Sequence, residues 1–186
     1  GTTVSVAATA GSTPGTITYT YSRAESASGS NTANVAATNV PARSASASWT
    51  LVSPAPVVSK SFNPASADAN DVVQVRLGWQ NNSAASPMFR CIVTDPVNLT
   101  VFDPATIAPV TTPAGYAFAA NPVTGVVTYT ATDTTVPCPT VAPAGAVFSV
   151  ALRPTATAGG SVGNTASLVG NTLPTPQAGG SAVNAS

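Results

Sequence analysis

Hydrophobic and polar residues alternate along much of the chain. Within residues 71–80, alternate positions hold Val73, Val75, Leu77 and Trp79, and the residues between them are Gln, Arg and Gly. The same period of two recurs in residues 15–22, 44–51, 127–132 and 146–152, where the intervening positions are mostly Ser, Thr or small residues. Strict alternation places one face of a strand on a core and the other in water. These segments therefore predict antiparallel β-strands.

Proline and glycine divide the chain into short segments. The sequence holds 17 Pro and 14 Gly, and a proline inside a helix costs about 3 kcal/mol. Many short strands separated by such turns are typical of a sandwich. We therefore predict an all-β fold, an antiparallel immunoglobulin-like β-sandwich. Its expected core consists of inward-facing residues of three strands: Val73, Val75, Leu77, Trp79, Tyr129, Phe148, Val150 and Leu152.

One motif occurs twice. Asn-Thr-Ala stands at residues 31–33 and again at 164–166, and an aliphatic residue followed by proline comes at the same distance after each copy. Two repeats in this order predict two domains. Residues 1–55 are interpreted as the C-terminal part of one sandwich repeat, completed by other residues or by a neighbouring subunit. Residues 57–186 are interpreted as a second, nearly complete repeat.

Four short segments resemble the repeat of a bacterial surface-protein family, catalogued as domain of unknown function eleven. They are Val57–Ser66, which contains Lys-Ser-Phe-Asn-Pro, the turn Asn81–Ser83, the pair Thr94-Asp95, and Asn164–Ala166. The chain departs from that family in the loop Val136–Pro139 and lacks a Leu-Pro pair after Thr-Asp. The resemblance implies an extracellular immunoglobulin-like stalk module and supplies no catalytic residue.

The charge is unusually low. Only 6% of residues are charged, with 6 basic and 6 acidic side chains, against about 25% in an ordinary soluble domain. Scattered cations do not form the basic patch that nucleic acid or an anionic membrane requires. We also find no run of about 18 apolar residues. The expected partners are copies of the chain itself, with a host or matrix ligand as a further candidate, and neither nucleic acid nor membrane insertion of this segment.

No catalytic site can be assembled from the sequence. The chain has no His, which removes the commonest general base and metal ligand, and it lacks a phosphate-binding loop or a serine elbow. We therefore expect no enzyme activity, no cofactor and no catalytic metal. Asp68 and Asp71 are weak calcium candidates, and the alternative is a turn whose side chains cap the backbone.

Cys91 and Cys138 are the two cysteines. Such a pair in a chain with extracellular features predicts a disulfide. Because Cys91 lies in a strand-like segment and Cys138 in a proline-flanked loop, the bridge would attach the loop to the sheet. Two free thiols are the alternative.

Lys60 is the sole lysine and lies in the expected first strand. Some immunoglobulin-like fibre modules are similar in placing a lysine there, opposite an asparagine of the last strand, joined as an isopeptide beside a carboxylate. That similarity implies Lys60, Asn164 and Asp95 for these roles. The alternative is a solvated or snorkelling lysine.

Repeats, low charge and the lack of a site favour one function, a structural module of a bacterial cell-surface fibre, filament or adhesin stalk that assembles head to tail. The alternative is an adhesin domain that binds carbohydrate or protein. That alternative needs exposed aromatic side chains, and Phe89 and Tyr116 are the two outside the expected inward positions.

Overall fold

The computed structural model describes residues 29–37, 40–50, 52–143, 145–156, 163–175 and 182–185. Within these ranges the chain forms strands and no helix, which confirms the all-β prediction. The predicted strand at 15–22 lies outside the described residues. The strands are β1 (Gly29–Ala37), β2 (Val40–Trp49), β3 (Pro56–Asn63), β4 (Val72–Asn81), β5 (Phe89–Pro96), β6 (Phe102–Thr111), β7 (Tyr116–Ala120), β8 (Val126–Ala131), β9 (Ala146–Leu152), β10 (Ser167–Asn171) and β11 (Ala182–Ala185).

Strands β3 to β11 form two antiparallel sheets. The first has the order β3-β4-β9-β6, and the second has the order β11-β10-β5-β8-β7. Buried residues from both sheets form one hydrophobic core, so the architecture is a β-sandwich. After β5 the chain crosses to the edge of the first sheet as β6, returns for the β7–β8 hairpin, and crosses again to β9. The finer, immunoglobulin-like assignment stays a prediction.

The alternation in the sequence determines which residues enter the core. On β4, Val73, Val75, Leu77 and Trp79 are all buried, as the period of two predicts. Of the expected core only Leu152 is less than fully buried, since it ends β9 and is packed against the core from its margin. Full burial of such an aliphatic side chain contributes about 1.5–3 kcal/mol.

An aromatic cluster joins the two sheets. The Trp79 ring from β4 lies 4.9 Å from the ring of Tyr116 and 5.6 Å from that of Tyr129, centroid to centroid. Phe118 in turn contacts Tyr129 at 5.3 Å, edge to face. Because these residues come from β4, β7 and β8, their packing holds the sheets together across the core.

Strands β1 and β2 form a separate two-stranded sheet. Gly29 pairs with Trp49, and the hydroxyls of Thr32 and Ser46 are 2.7 Å apart across it. The sequence placed Ala45 and Ala47 on an inward face, yet both are exposed. Among the described residues, therefore, no second layer covers this part of β2.

A buried asparagine anchors the turn after β4. The side chain of Asn81 is 1% exposed. Its Oδ1 accepts from the backbone N–H of Ala55 at 2.8 Å, and its Nδ2 donates to the backbone carbonyl of Ser86 at 2.8 Å. These bonds tie the segment before β3 and the turn before β5 to the end of β4.

Substitution of Asn81 by Ala is expected to lower the free energy of unfolding by at least about 2 kcal/mol, because backbone groups lose their partners in a buried setting. Chemical denaturation followed by circular dichroism measures the change. Asn82, its exposed neighbour, provides a matched control, and Asn82→Ala should change the same free energy by less than about 0.5 kcal/mol. Equal effects of the two substitutions would contradict the assignment.

Candidate functional site

Lys60 points into the sandwich. On β3 the half-buried positions are Pro56, Val58, Lys60 and Phe62, and the positions between are exposed. The Lys60 side chain is 10% exposed, and its Nζ lies 5.1 Å from the centroid of the Phe62 ring. This burial speaks against a solvated lysine.

Asp95, on the opposite sheet, forms an ion pair with Lys60. On β5 the buried positions are Cys91, Val93 and Asp95, so the carboxylate occupies a position that the strand otherwise gives to core residues. Its side chain is 0% exposed, and Lys60 Nζ donates to Oδ1 at 2.6 Å and to Oδ2 at 2.7 Å. Loss of one partner would leave a buried, uncompensated charge at a cost of about 3–5 kcal/mol.

Asn164 lies beside this ion pair. It belongs to the segment leading into β10, where Asn164, Ala166 and Leu168 are more buried than the residues between them. Leu168 pairs with Val93 of β5, so the antiparallel register directs the residues before it towards the Asp95 end of that strand. Asn164 and Lys60 line the same small cleft.

The carboxamide nitrogen of Asn164 makes no hydrogen bond within the described part of the chain. This Nδ2 atom is buried. The structure therefore gathers an amine, a carboxylate and a carboxamide, the three groups named from the sequence. A covalent bond between Lys60 and Asn164 stays a prediction.

The electrostatics of the site follow from burial. Desolvation lowers the pKa of Lys60, and the negative charge of Asp95 and its hydrogen bonds oppose that shift. Desolvation also raises the pKa of Tyr129, and the Asp95 carboxylate raises it further. The alternation in the sequence predicts Tyr129 in the core but carries no signal that connects it with Asp95.

We expect Tyr129→Phe to reduce the loss of stability at alkaline pH. In the folded chain the raised pKa keeps the phenol protonated, whereas in the unfolded chain it ionises near pH 10, so stability falls as pH rises above about 10. The Tyr129 hydroxyl has no hydrogen-bond partner among the described residues, so the substitution should cost little at pH 7. Urea midpoints from about pH 8 to 11 test this.

Tyr116→Phe is the comparison, because burial raises the pKa of Tyr116 as well, without a contribution from Asp95. Its effect on the alkaline slope should be smaller than that of Tyr129→Phe. A larger effect at Tyr116 would show that Asp95 does not influence Tyr129 as described.

The disulfide prediction is confirmed. Cys91 and Cys138 are bonded, with their Cα atoms 5.8 Å apart and a sequence separation of 47. The Cys138 N–H donates to the Met88 carbonyl at 2.6 Å, and the Asn81 N–H donates to the Pro139 carbonyl at 2.8 Å. The bridge thus attaches the loop after β8 to the sheet, as the sequence indicated.

Asp68 and Asp71 lie in a hydrogen-bonded turn before β4. The Asp68 N–H donates to Asp71 Oδ2 at 2.9 Å, and the Asp71 N–H donates to the Asp68 carbonyl at 3.1 Å. Asn70 between them has a φ of 70°, a left-handed conformation that asparagine tolerates in turns. Among the described residues no third His, Cys, Asp or Glu joins them in a metal-binding group.

The aromatic residues are largely enclosed. Tyr116 is half-buried against Trp79, and Phe89 is half-buried at the start of β5. Every aromatic side chain for which the structure describes burial is buried or half-buried. In the described ranges no helix has the length and hydropathy to cross a membrane.

Comparisons of the chain with protein-family models, with curated proteins and with solved structures find no match. The family resemblance therefore stays a prediction from the four segments, and functional inference rests on the residues themselves.

Proposed function

We propose that the chain is an extracellular structural module of a bacterial cell-surface fibre, filament or adhesin stalk, which associates head to tail with copies of itself. The observation that carries this proposal is the different burial of one repeated motif. Ala166 of the second copy is 4% exposed in the sandwich core, whereas Ala33 of the first copy is exposed on β1.

An isolated two-stranded sheet is at best marginally stable in water, and its edges offer unpaired backbone groups to further strands. No third strand pairs with β1 or β2 among the described residues, so strands from a neighbouring copy, or from other residues of the polypeptide, would complete this sheet. A contact between two different surfaces of successive copies repeats along a line when its rotation does not close the copies into a ring. This geometry supports a fibre or stalk.

Chemistry of the chain supports an extracellular location and self-association. Disulfides form and persist in oxidising compartments, and the Cys91–Cys138 bridge is buried. The net charge is zero, so little repulsion opposes contact between copies. We also propose that the chain is a divergent member of the surface-repeat family that it resembles.

An adhesin domain, the other candidate, is less well supported. Aromatic side chains on a sugar-binding or protein-binding surface must be accessible to the ligand. The enclosed positions of Phe89 and Tyr116 do not offer such a surface.

Sedimentation velocity over a range of concentrations tests the proposal on the 186-residue chain. We expect linear oligomers whose size increases with concentration, and Ala45→Asp on the exposed part of β2 should weaken them by placing a charge in the contact. Val123→Asp, at a position 79% exposed in the turn before β8, is the control and should leave association unchanged. A monomer at every concentration, with residues 1–50 protected from hydrogen exchange, would refute the proposal.

A further inference from the structure

We propose that Lys60 and Asn164 form an intramolecular isopeptide bond and that Asp95 carries the protons for this reaction. The bond would join β3, the first strand of the sandwich, to the segment that enters β10. It goes beyond the proposed function, because it can form within one molecule whether or not copies of the chain associate.

Before reaction the three groups are in an unfavourable state. Lys60 and Asp95 form a charged pair inside the sandwich, with Asp95 fully buried. Beside them the Asn164 Nδ2 is buried without an acceptor among the described residues. Buried charges and unsatisfied amides both destabilise a folded chain. Bond formation removes the lysine charge and the unsatisfied NH₂ group together, and leaves a neutral secondary amide.

The amine of Lys60 also lies close to both of the groups with which it would react. Both oxygens of Asp95 lie within hydrogen-bond distance of Lys60 Nζ, at 2.6 and 2.7 Å, which satisfies the geometric requirement for proton transfer. Asn164 lines the cleft that Lys60 also lines. The reacting amine and the carboxamide therefore share one space, with the proton carrier in direct contact with the amine.

The reaction needs no external reagent. Asp95 accepts a proton from the Lys60 ammonium, which leaves a neutral amine whose Nζ lone pair attacks Cγ of Asn164 and forms the Nζ–Cγ bond. Asp95 gives its proton to Nδ2 and takes another from Nζ. The Cγ–Nδ2 bond then breaks, and ammonia leaves. Asp95 ends protonated, the total charge is unchanged, and nothing is oxidised or reduced.

The surroundings favour these steps. A lysine must lose its proton before it can act as a nucleophile, and desolvation lowers the pKa of Lys60. Val58 and Phe62 are the inward neighbours of Lys60 on β3 and help to enclose it. Limited access of water also protects the product amide from hydrolysis.

Mass spectrometry of the reduced, denatured 186-residue chain tests the bond. We expect a mass lower than that of the sequence by about 17 Da, the mass of the lost ammonia. Lys60→Ala and Asn164→Ala should each show the full mass of their sequences. A succinimide at any asparagine would also lose ammonia, so a tryptic digest decides between them: the isopeptide joins the peptide 44–76 to the peptide that begins at Cys91.

Two further variants define the role of Asp95. Asp95→Asn should retain the full sequence mass, because the amide cannot accept the proton from Lys60. Asn82→Ala, which changes an exposed asparagine, is the control and should show the same loss of mass as the wild type. A wild-type chain of full sequence mass would overturn the bond, even if Asp95→Asn fails to fold. A joined peptide in folded Asp95→Asn would overturn the role of Asp95.

Discussion

Replacement of Trp79 by Ala is expected to lower the free energy of unfolding by about 3–5 kcal/mol, the usual cost of removing a large aromatic side chain from a core. Trp79 is 1% exposed, and its ring contacts those of Tyr116 and Tyr129. The substitution therefore leaves a cavity at the place where β4 packs against β7 and β8. Chemical denaturation followed by far-ultraviolet circular dichroism measures the effect without relying on tryptophan fluorescence.

Val72 supplies the control on the same strand. It is 61% exposed, so Val72→Ala should change the free energy of unfolding by less than about 0.5 kcal/mol. A shift of the strand by one residue would exchange its two faces. Val72→Ala would then lower the free energy of unfolding strongly, and Trp79→Ala would lower it little. An unchanged denaturation midpoint for Trp79→Ala would show that the described register is wrong.

The strands that could be predicted are those with one face buried in the core and the other exposed to solvent. On β4 and β8 the period of two alone identifies the buried residues, because burial of every second side chain is the physical condition that produces the pattern. The same reasoning was wrong for Ala45 and Ala47. Alanine and serine differ too little in hydrophobicity for their alternation to prove that a second layer exists.

Two edge strands, β6 and β7, could not be predicted. The β6 segment contains Pro104 and Pro109, and its pairing with β9 shifts register twice. Proline lacks the N–H that a central strand needs, so such a sequence does not show a clear strand signal. The β7 strand (Tyr116–Ala120) is short, and three of its five residues are alanine. Both strands lie at an edge of their sheet, where packing constrains the sequence least.

The candidate site was predictable in its residues and not in its geometry. Lys60 is the sole lysine. Asp95 lies at the same alternate positions as Cys91 and Val93, so the alternation predicts that its carboxylate faces the core, where a charged group needs a partner. The pairing of the sheets is a property of tertiary structure. Only the structure shows that β3 and β5 face each other closely enough for a direct ion pair. The anchoring role of Asn81 also depends on contacts with distant segments.

Removal of the disulfide is expected to have an effect of similar size to the Trp79 substitution. The bridge joins two residues with a sequence separation of 47, and the chain-entropy model assigns about 4 kcal/mol to a loop of about that length. The double variant Cys91→Ala/Cys138→Ala avoids a single unpaired thiol. Denaturation midpoints of the wild type and the double variant, measured without reductant, give the difference.

The loss of protection from hydrogen exchange should also be local to the loop. This distinguishes removal of the disulfide from a general destabilisation of the core. In the double variant no covalent bond holds the loop against β5. The N–H of residue 138, which donates to the Met88 carbonyl in the wild type, should therefore exchange faster with solvent. The Asn81 N–H, which donates to the Pro139 carbonyl, should follow. Amides of the β4–β9 pairing, such as that of Val75 opposite Phe148, serve as the internal control and should exchange only through global unfolding. Two alkylatable thiols in denatured, unreduced wild-type protein would show that the bridge is absent, and an unchanged midpoint in the double variant would show that it does not stabilise the fold.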